Sequence, residues 1–224
     1  MNEGVTIAFL IIALIFGGIG LVLFKEARTH RFWRQLVAQN DMQAIQGILD
    51  QEIEHWRTQR PPKDVSAAVW AGVQGLNLVS ASAKHVRVST SADPEFGLVD
   101  ERREQVASSL DTAYATALRL VEMIFYDIPN FRPDDVRVDV YTTFRDAEGS
   151  AQALPILCVE ADRGSAMSLD WNLPPAALAR EFETTADRAP SGEPRPIVLP
   201  EDRFADTVSE TADASGEQRS ATDG

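Results

Sequence analysis

The residues best placed for chemistry in this chain are carboxylates: Asp139 in the run VRVDVYTTF, and Glu160 and Asp162 in the run LPILCVEAD, with Arg137 two positions before Asp139. The runs alternate apolar and polar side chains, the period of a half-buried strand, and RDAEGS between them is made of turn formers. Together they predict an antiparallel hairpin. A turn near Glu148 and Gly149 sets Asp139 opposite Glu160 and Arg137 opposite Asp162, all on one face. Carboxylates held that close share a proton, recruit a cation or lean on a basic neighbour, because like charges facing each other repel. The cluster therefore allows metal-dependent hydrolysis, or a solvated charged sheet face in which Arg137 pairs with Glu160 and Asp162. Cys158 follows Leu157 in an apolar run and no positioned His accompanies it, so it reads as a buried, inert thiol.

The order of helix, strand with Asp139, turn, strand with Glu160 and helix resembles the central part of the restriction-endonuclease-like nucleases, which read as Asp followed by Glu-x-Lys. The resemblance implies a degenerate hydrolase core with Asp139 and Glu160 as metal ligands. The family's lysine is missing: Asp162 occupies its place and Arg163 falls one residue late. A net charge of -13 also opposes a DNA substrate, since phosphate backbones are held by clustered Lys and Arg.

Several elements must position these strands. Asn40 and Asp41 look like a helix start, after which Ile45, Ile48, Leu49, Ile53 and Trp56 trace one apolar face until Pro61 and Pro62 stop it. Val65 to Val73 predicts a short helix. LNLVSAS and HVRVSTS, separated by Ala83 and Lys84, predict a hairpin, and Phe96 to Val99 with Glu104 to Ala107 a second. Ser108 and Asp111 sit at capping-box spacing before the apolar stripe Leu110, Tyr114, Ala117, Leu118, Val121, Ile124 and Phe125. That helix is expected to lie across the sheet. A final helix from Pro174 to Glu183 would close the domain, with Leu173, Leu178 and Phe182 inward. Beyond Ala186 the chain is rich in Asp, Glu, Ser, Thr, Pro and Gly, and reads as a disordered acidic tail in which PIVLP or the segment around Phe204 is a possible docking motif.

At the other end, Val5 to Phe24 holds no charged residue, and at ~1.5 Å per residue it spans roughly 30 Å of hydrocarbon as a helix. The MNEG start has no Lys or Arg and no A-x-A pattern follows Phe24, so the segment reads as an uncleaved anchor rather than a signal peptide. Lys25, Arg28, Arg31 and Arg34 follow at once, which puts this flank in the cytoplasm and the N-terminus outside. Trp33 would mark the interface, in an amphipathic continuation with Phe32, Leu36 and Val37. Ala13, Gly17 and Gly20 lie near one helix face and would allow close approach of a second copy.

The expected organisation is therefore an α+β protein: residues 1–4 external, 5–24 transmembrane, 25–62 a juxtamembrane helical segment, 63–185 a cytoplasmic domain of mostly antiparallel sheet packed with helices, and 186–224 a disordered tail. Of 224 residues, one is cysteine, which excludes an intramolecular disulfide and a cysteine-based zinc site. His30, His55 and His85 show no metal-ligand spacing, and the phosphate-loop, dinucleotide, zinc-protease and nucleophile-elbow motifs are absent. No cofactor is implied. The expectation is a single-pass inner- or plasma-membrane protein, with a cytoplasmic interaction or regulatory module that meets a protein partner or a second copy, and no nucleic acid. A metal-dependent hydrolase built on Asp139 and Glu160 is the alternative, and a small-molecule sensor domain the second.

Overall fold

The computed structural model describes residues 37, 39, 41–145 and 148–202. The expected anchor and its flank, Lys25, Arg28, Arg31, Trp33 and Arg34, lie outside these residues, as do the small-residue face of the anchor and Phe204. Among the described residues no helix is long and apolar enough to cross a membrane.

Helix α1 (Met42–Thr58) begins where Asp41 accepts the Gln43 and Ala44 amides at 3.0 and 3.1 Å, replacing partners that a first turn lacks. Its stripe Ile45, Leu49, Ile53 and Trp56 is buried in the same core as the rest of the domain. The helix is thus part of the globular unit, because the apolar stripe needs a partner and α2 (Ala67–Gln74) and the first strand supply it.

Strands β1 (Asn77–Ala81) and β2 (His85–Ser91) form the first expected hairpin. β3 (Glu95–Val99) and β4 (Arg102–Ala107) form the second, closed by a tight turn in which Asp100 and Glu101 both take positive φ, 49° and 65°. This hairpin is a sheet of its own, and Phe96, Leu98 and Val106 on it are exposed. Helix α3 (Ser109–Tyr126) opens with the expected capping box: Ser108 Oγ accepts the Asp111 amide at 3.1 Å and Asp111 accepts the Ser108 amide at 3.2 Å. It packs on β5 (Asp135–Arg145), on β6 (Ala151–Asp162) and on α2. Short helices α4 (Arg163–Met167) and α5 (Pro175–Leu178), with a 3-10 turn at Ala179–Glu181, follow. Leu178 and Phe182 are buried as expected, but the closing helix is shorter than expected and Leu173 is largely exposed. The chain turns extended at Phe182 and continues as β7 (Glu183–Arg188) and β8 (Pro194–Arg195).

The fold is α+β. Its main sheet runs β1-β2-β5-β6-β7-β8, with every neighbouring pair antiparallel except β2 and β5. A parallel pair cannot be joined by a tight turn, and the β3–β4 hairpin with α3 makes the crossover. Val86, Val88, Val136, Val138, Val140, Leu157, Val159 and Ala161 supply the sheet's share of the apolar core, together with the stripes of α1 and α3. Residues 186–202, expected as part of a disordered tail, are ordered instead: β7 crosses that boundary, and residues 189–202 form turn, strand and extended chain.

Candidate functional site

The charged cluster lies on the sheet face that alternation turns away from the valine layer. Its register differs from expectation. Arg137 stands opposite Glu160, Asp139 opposite Cys158, and Asp135 opposite Asp162. The connection between Arg145 and its partner Ala151 lies where the turn was expected, and counting back from that pair through the irregularity between Val140 and Tyr141 puts Asp139 opposite Cys158 rather than Glu160. The slip relative to expectation is two residues, so the same side chains still share a face, where a slip of one would have sent them into the core.

Arg137 brings Asp139 and Glu160 together. Arg137 donates from Nε to Asp139 Oδ1 and from Nη1 to Glu160 Oε1, each at 3.0 Å. The other oxygen of Asp139, Oδ2, accepts from Arg87 Nε at 2.8 Å and lies 2.7 Å from its Nη2. Both oxygens of Asp139 are therefore used by guanidinium groups. Arg87 and Arg137 are direct neighbours in the parallel β2–β5 ladder, and Asp139 sits between their charges. Burial penalises the Arg87 charge, yet its hydrogen bonds and attraction to Asp139 and Asp202 outweigh that and hold its pKa above the ordinary value.

This face is not the solvated surface expected from exposed ion pairs. Arg137 is 0% and Asp139 1% exposed. What covers them is the chain expected to be tail. Arg137 Nη2 donates to the Pro200 carbonyl at 2.9 Å and Nη1 to the Glu201 carbonyl at 3.2 Å, while Arg87 Nη1 donates to Asp202 Oδ2 at 3.1 Å. The Ile197 amide donates to the Pro155 carbonyl at 2.9 Å, fastening the segment to β6. His85, opposite Asp135, places Nε2 3.8 Å from Asp202 Oδ1. Burial lowers the His85 pKa to about 4, against the pull of Asp202 and with the push of Arg137 and Arg87, so the ring is neutral at physiological pH.

Asp162 does not join the cluster. It caps α4, where its Oδ1 accepts the Ser165 amide at 2.8 Å, and these hydrogen bonds lower its pKa. Arg163, next to it, donates from Nε to the Pro133 carbonyl at 2.8 Å and from Nη1 to the Phe125 carbonyl at 3.1 Å, and stacks on the Phe125 ring at 4.8 Å. It thus closes the end of α3 rather than replacing a catalytic lysine. Cys158 is buried, and burial followed by the charge of Asp139 pushes its thiol up to about 12, so it carries no thiolate. Among the described residues no group of three His, Cys, Asp or Glu is arranged to hold a metal ion.

Comparison with protein-family models, curated proteins and solved structures finds no match. Function is therefore to be read from the site itself. Its members from outside the hairpin, Arg87 and Asp202, escape sequence reading: a parallel partner strand is not local, and acidic composition hides an ordered segment. The available signal is PIVLP, a short apolar motif inside polar chain.

Proposed function

We propose that this chain is a membrane-anchored cytoplasmic interaction or regulatory module, tethered by Val5 to Phe24 with Lys25, Arg28, Arg31 and Arg34 on the inner side and Trp33 at the interface. The observation that carries the reading is the saturation of Asp139 by Arg87 and Arg137 in a cluster that grips an extended peptide segment through backbone carbonyls and one carboxylate. Such an arrangement holds chain. It leaves no activated nucleophile: the one thiol is protonated, and both oxygens of the central carboxylate are occupied. The unbroken apolar run and its basic flank support confinement to the inner membrane face.

The test is in-cell crosslinking of the full-length protein with mass spectrometry, paired with labelling of single cysteines introduced at Asn2 and at Gln51 in a Cys158→Ala background. An outside-only label at position 2, an inside-only label at position 51 and a reproducible crosslinked partner or second copy are expected. Labelling of position 51 from outside, or a purified monomer that turns over a supplied substrate, would overturn the reading.

A further inference from the structure

Residues 197–202 and the sheet face beneath them are unlike one another. The face is preorganised by its own ion pairs: Arg137 is held by Asp139 and Glu160, and Arg87 is held by Asp139. The segment is a surface strip. Val198 is 90% exposed and Pro200 and Glu201 are exposed, whereas Ile197 and Leu199 are mostly covered and the Asp202 side chain is 9% exposed. Apolar burial is therefore confined to Ile197 and Leu199, and polar contacts act at the Pro200–Asp202 end.

Those contacts have the form of peptide recognition. Arg137 presents Nη1 and Nη2 to the carbonyls of two successive residues, Glu201 and Pro200, which any extended chain offers. Arg87 Nη1 takes a carboxylate at the next residue, Asp202, and that contact depends on sequence. The Ile197 amide adds a single strand-like bond to β6 at Pro155. A receptor whose donors are already held by its own carboxylates loses little entropy on binding, and a ligand read through two backbone carbonyls and one carboxylate is replaceable by another of the same chemistry.

We propose that the face built from Arg87, Arg137 and Asp139 is a peptide-binding groove for extended acidic segments, occupied in cis by residues 197–202, and that an acidic segment of a partner protein competes for it. This names the contact surface of the interaction module and rests on that reading for the partner. Residues 197–202 act as an internal competitor, so a partner binds only by displacing them, and the groove responds to the local concentration of acidic peptide at the membrane.

The experiment uses the full-length protein in detergent with a protease site inserted between Ser191 and Gly192, at the tip of the β7–β8 turn. After cleavage, a fluorescent peptide of residues 193–205 is added and its anisotropy followed. The labelled peptide is expected to replace the cleaved segment and to be displaced by the unlabelled peptide. The same peptide carrying Asp202→Asn should compete at least tenfold less well, a comparison that leaves the protein unchanged. Cleaved protein that never exchanges its segment, that unfolds by circular dichroism once the segment leaves, or that binds the Asp202→Asn peptide equally well would overturn the proposal. A crosslinked partner in cells alongside any of these results would keep the interaction reading and remove this groove from it.

Discussion

Arg137 donates from Nε to Oδ1 of Asp139, two positions along the same strand, at 3.0 Å, with the two side chains 0% and 1% exposed. Neighbours at that spacing share a strand face, and the extended guanidinium reaches along the strand while its other nitrogens serve Glu160 and the carbonyls of Pro200 and Glu201. One side chain thereby joins β5, β6 and the C-terminal segment.

Arg137→Met removes all these donors and leaves carboxylates without one of their partners in a low-dielectric site. The expected loss is about 3–5 kcal/mol in urea unfolding, the range for breaking one half of a buried ion pair. Arg137→Lys should recover only a minor part, because a single ammonium cannot reproduce the fork. A loss below about 1 kcal/mol would show that the network contributes little.

His85 predicts the acid side of the stability curve. Its folded pKa of about 4 lies below the ordinary value of 6.5, so on acidification the unfolded chain takes up the proton first. The stability is complete above about 6.5, falls as pH drops toward about 4 and levels off below that. The groups facing the ring are Asp202, Arg87 and Arg137, and Asp135, Glu160, Asp162, Glu181 and Glu183 line the same cavity. Allowing for solvent screening, the loss attributable to His85 is on the order of 2 kcal/mol. Urea unfolding at pH 7 and pH 4.5 should show a smaller difference for His85→Asn than for the wild type, and an equal difference would assign the acid sensitivity elsewhere.

Gly72 marks a close approach of α2 to α3. A Cβ there would lie 2.6 Å from Thr116 Cγ2, 3.0 Å from its Oγ1 and 3.1 Å from the Ser91 carbonyl oxygen. Gly72→Ala should cost about 1–3 kcal/mol by overpacking, and adding Thr116→Ser, which removes the nearest carbon, should return part of it. Gly47 on the exposed face of α1 meets nothing within 4 Å, so Gly47→Ala should stabilise by up to about 1 kcal/mol. Thermal melts of the variants separate helix propensity from packing.

Cys158 should resist thiol reagents. Its sulfur is buried and its pKa stands at about 12 through burial and the neighbouring Asp139. Labelling of the native protein should therefore run at the rate of transient opening and rise by orders of magnitude in urea. Rapid stoichiometric labelling under native conditions would mean that the sheet face is open.

Local signals carried much of the fold. Asp41 and the stripe Ile45, Leu49, Ile53 and Trp56 determine α1, the Ser108–Asp111 box determines where α3 begins, and alternation determines the β1–β2, β3–β4 and β5–β6 hairpins. Each of these rests on neighbours within a few turns of the chain, where side-chain period and capping chemistry act directly. The burial and inertness of Cys158 were legible for the same reason.

The site was legible only in half. That Arg137, Asp139 and Glu160 share a face follows from the period of a strand, which the sequence alone determines. Which of them face each other depended on where the turn closes and on the irregularity after Val140, and the parallel neighbour β2 brought Arg87 from the far side of a hairpin and a helix. The fate of residues 186–202 was likewise decided by tertiary structure: an acidic, Pro-rich segment has no reason to order by itself, but the fully buried Arg137 requires acceptors that its own hairpin cannot supply in full. Local rules choose the element and the face, whereas the cost of an unpartnered buried charge chooses what comes to cover it.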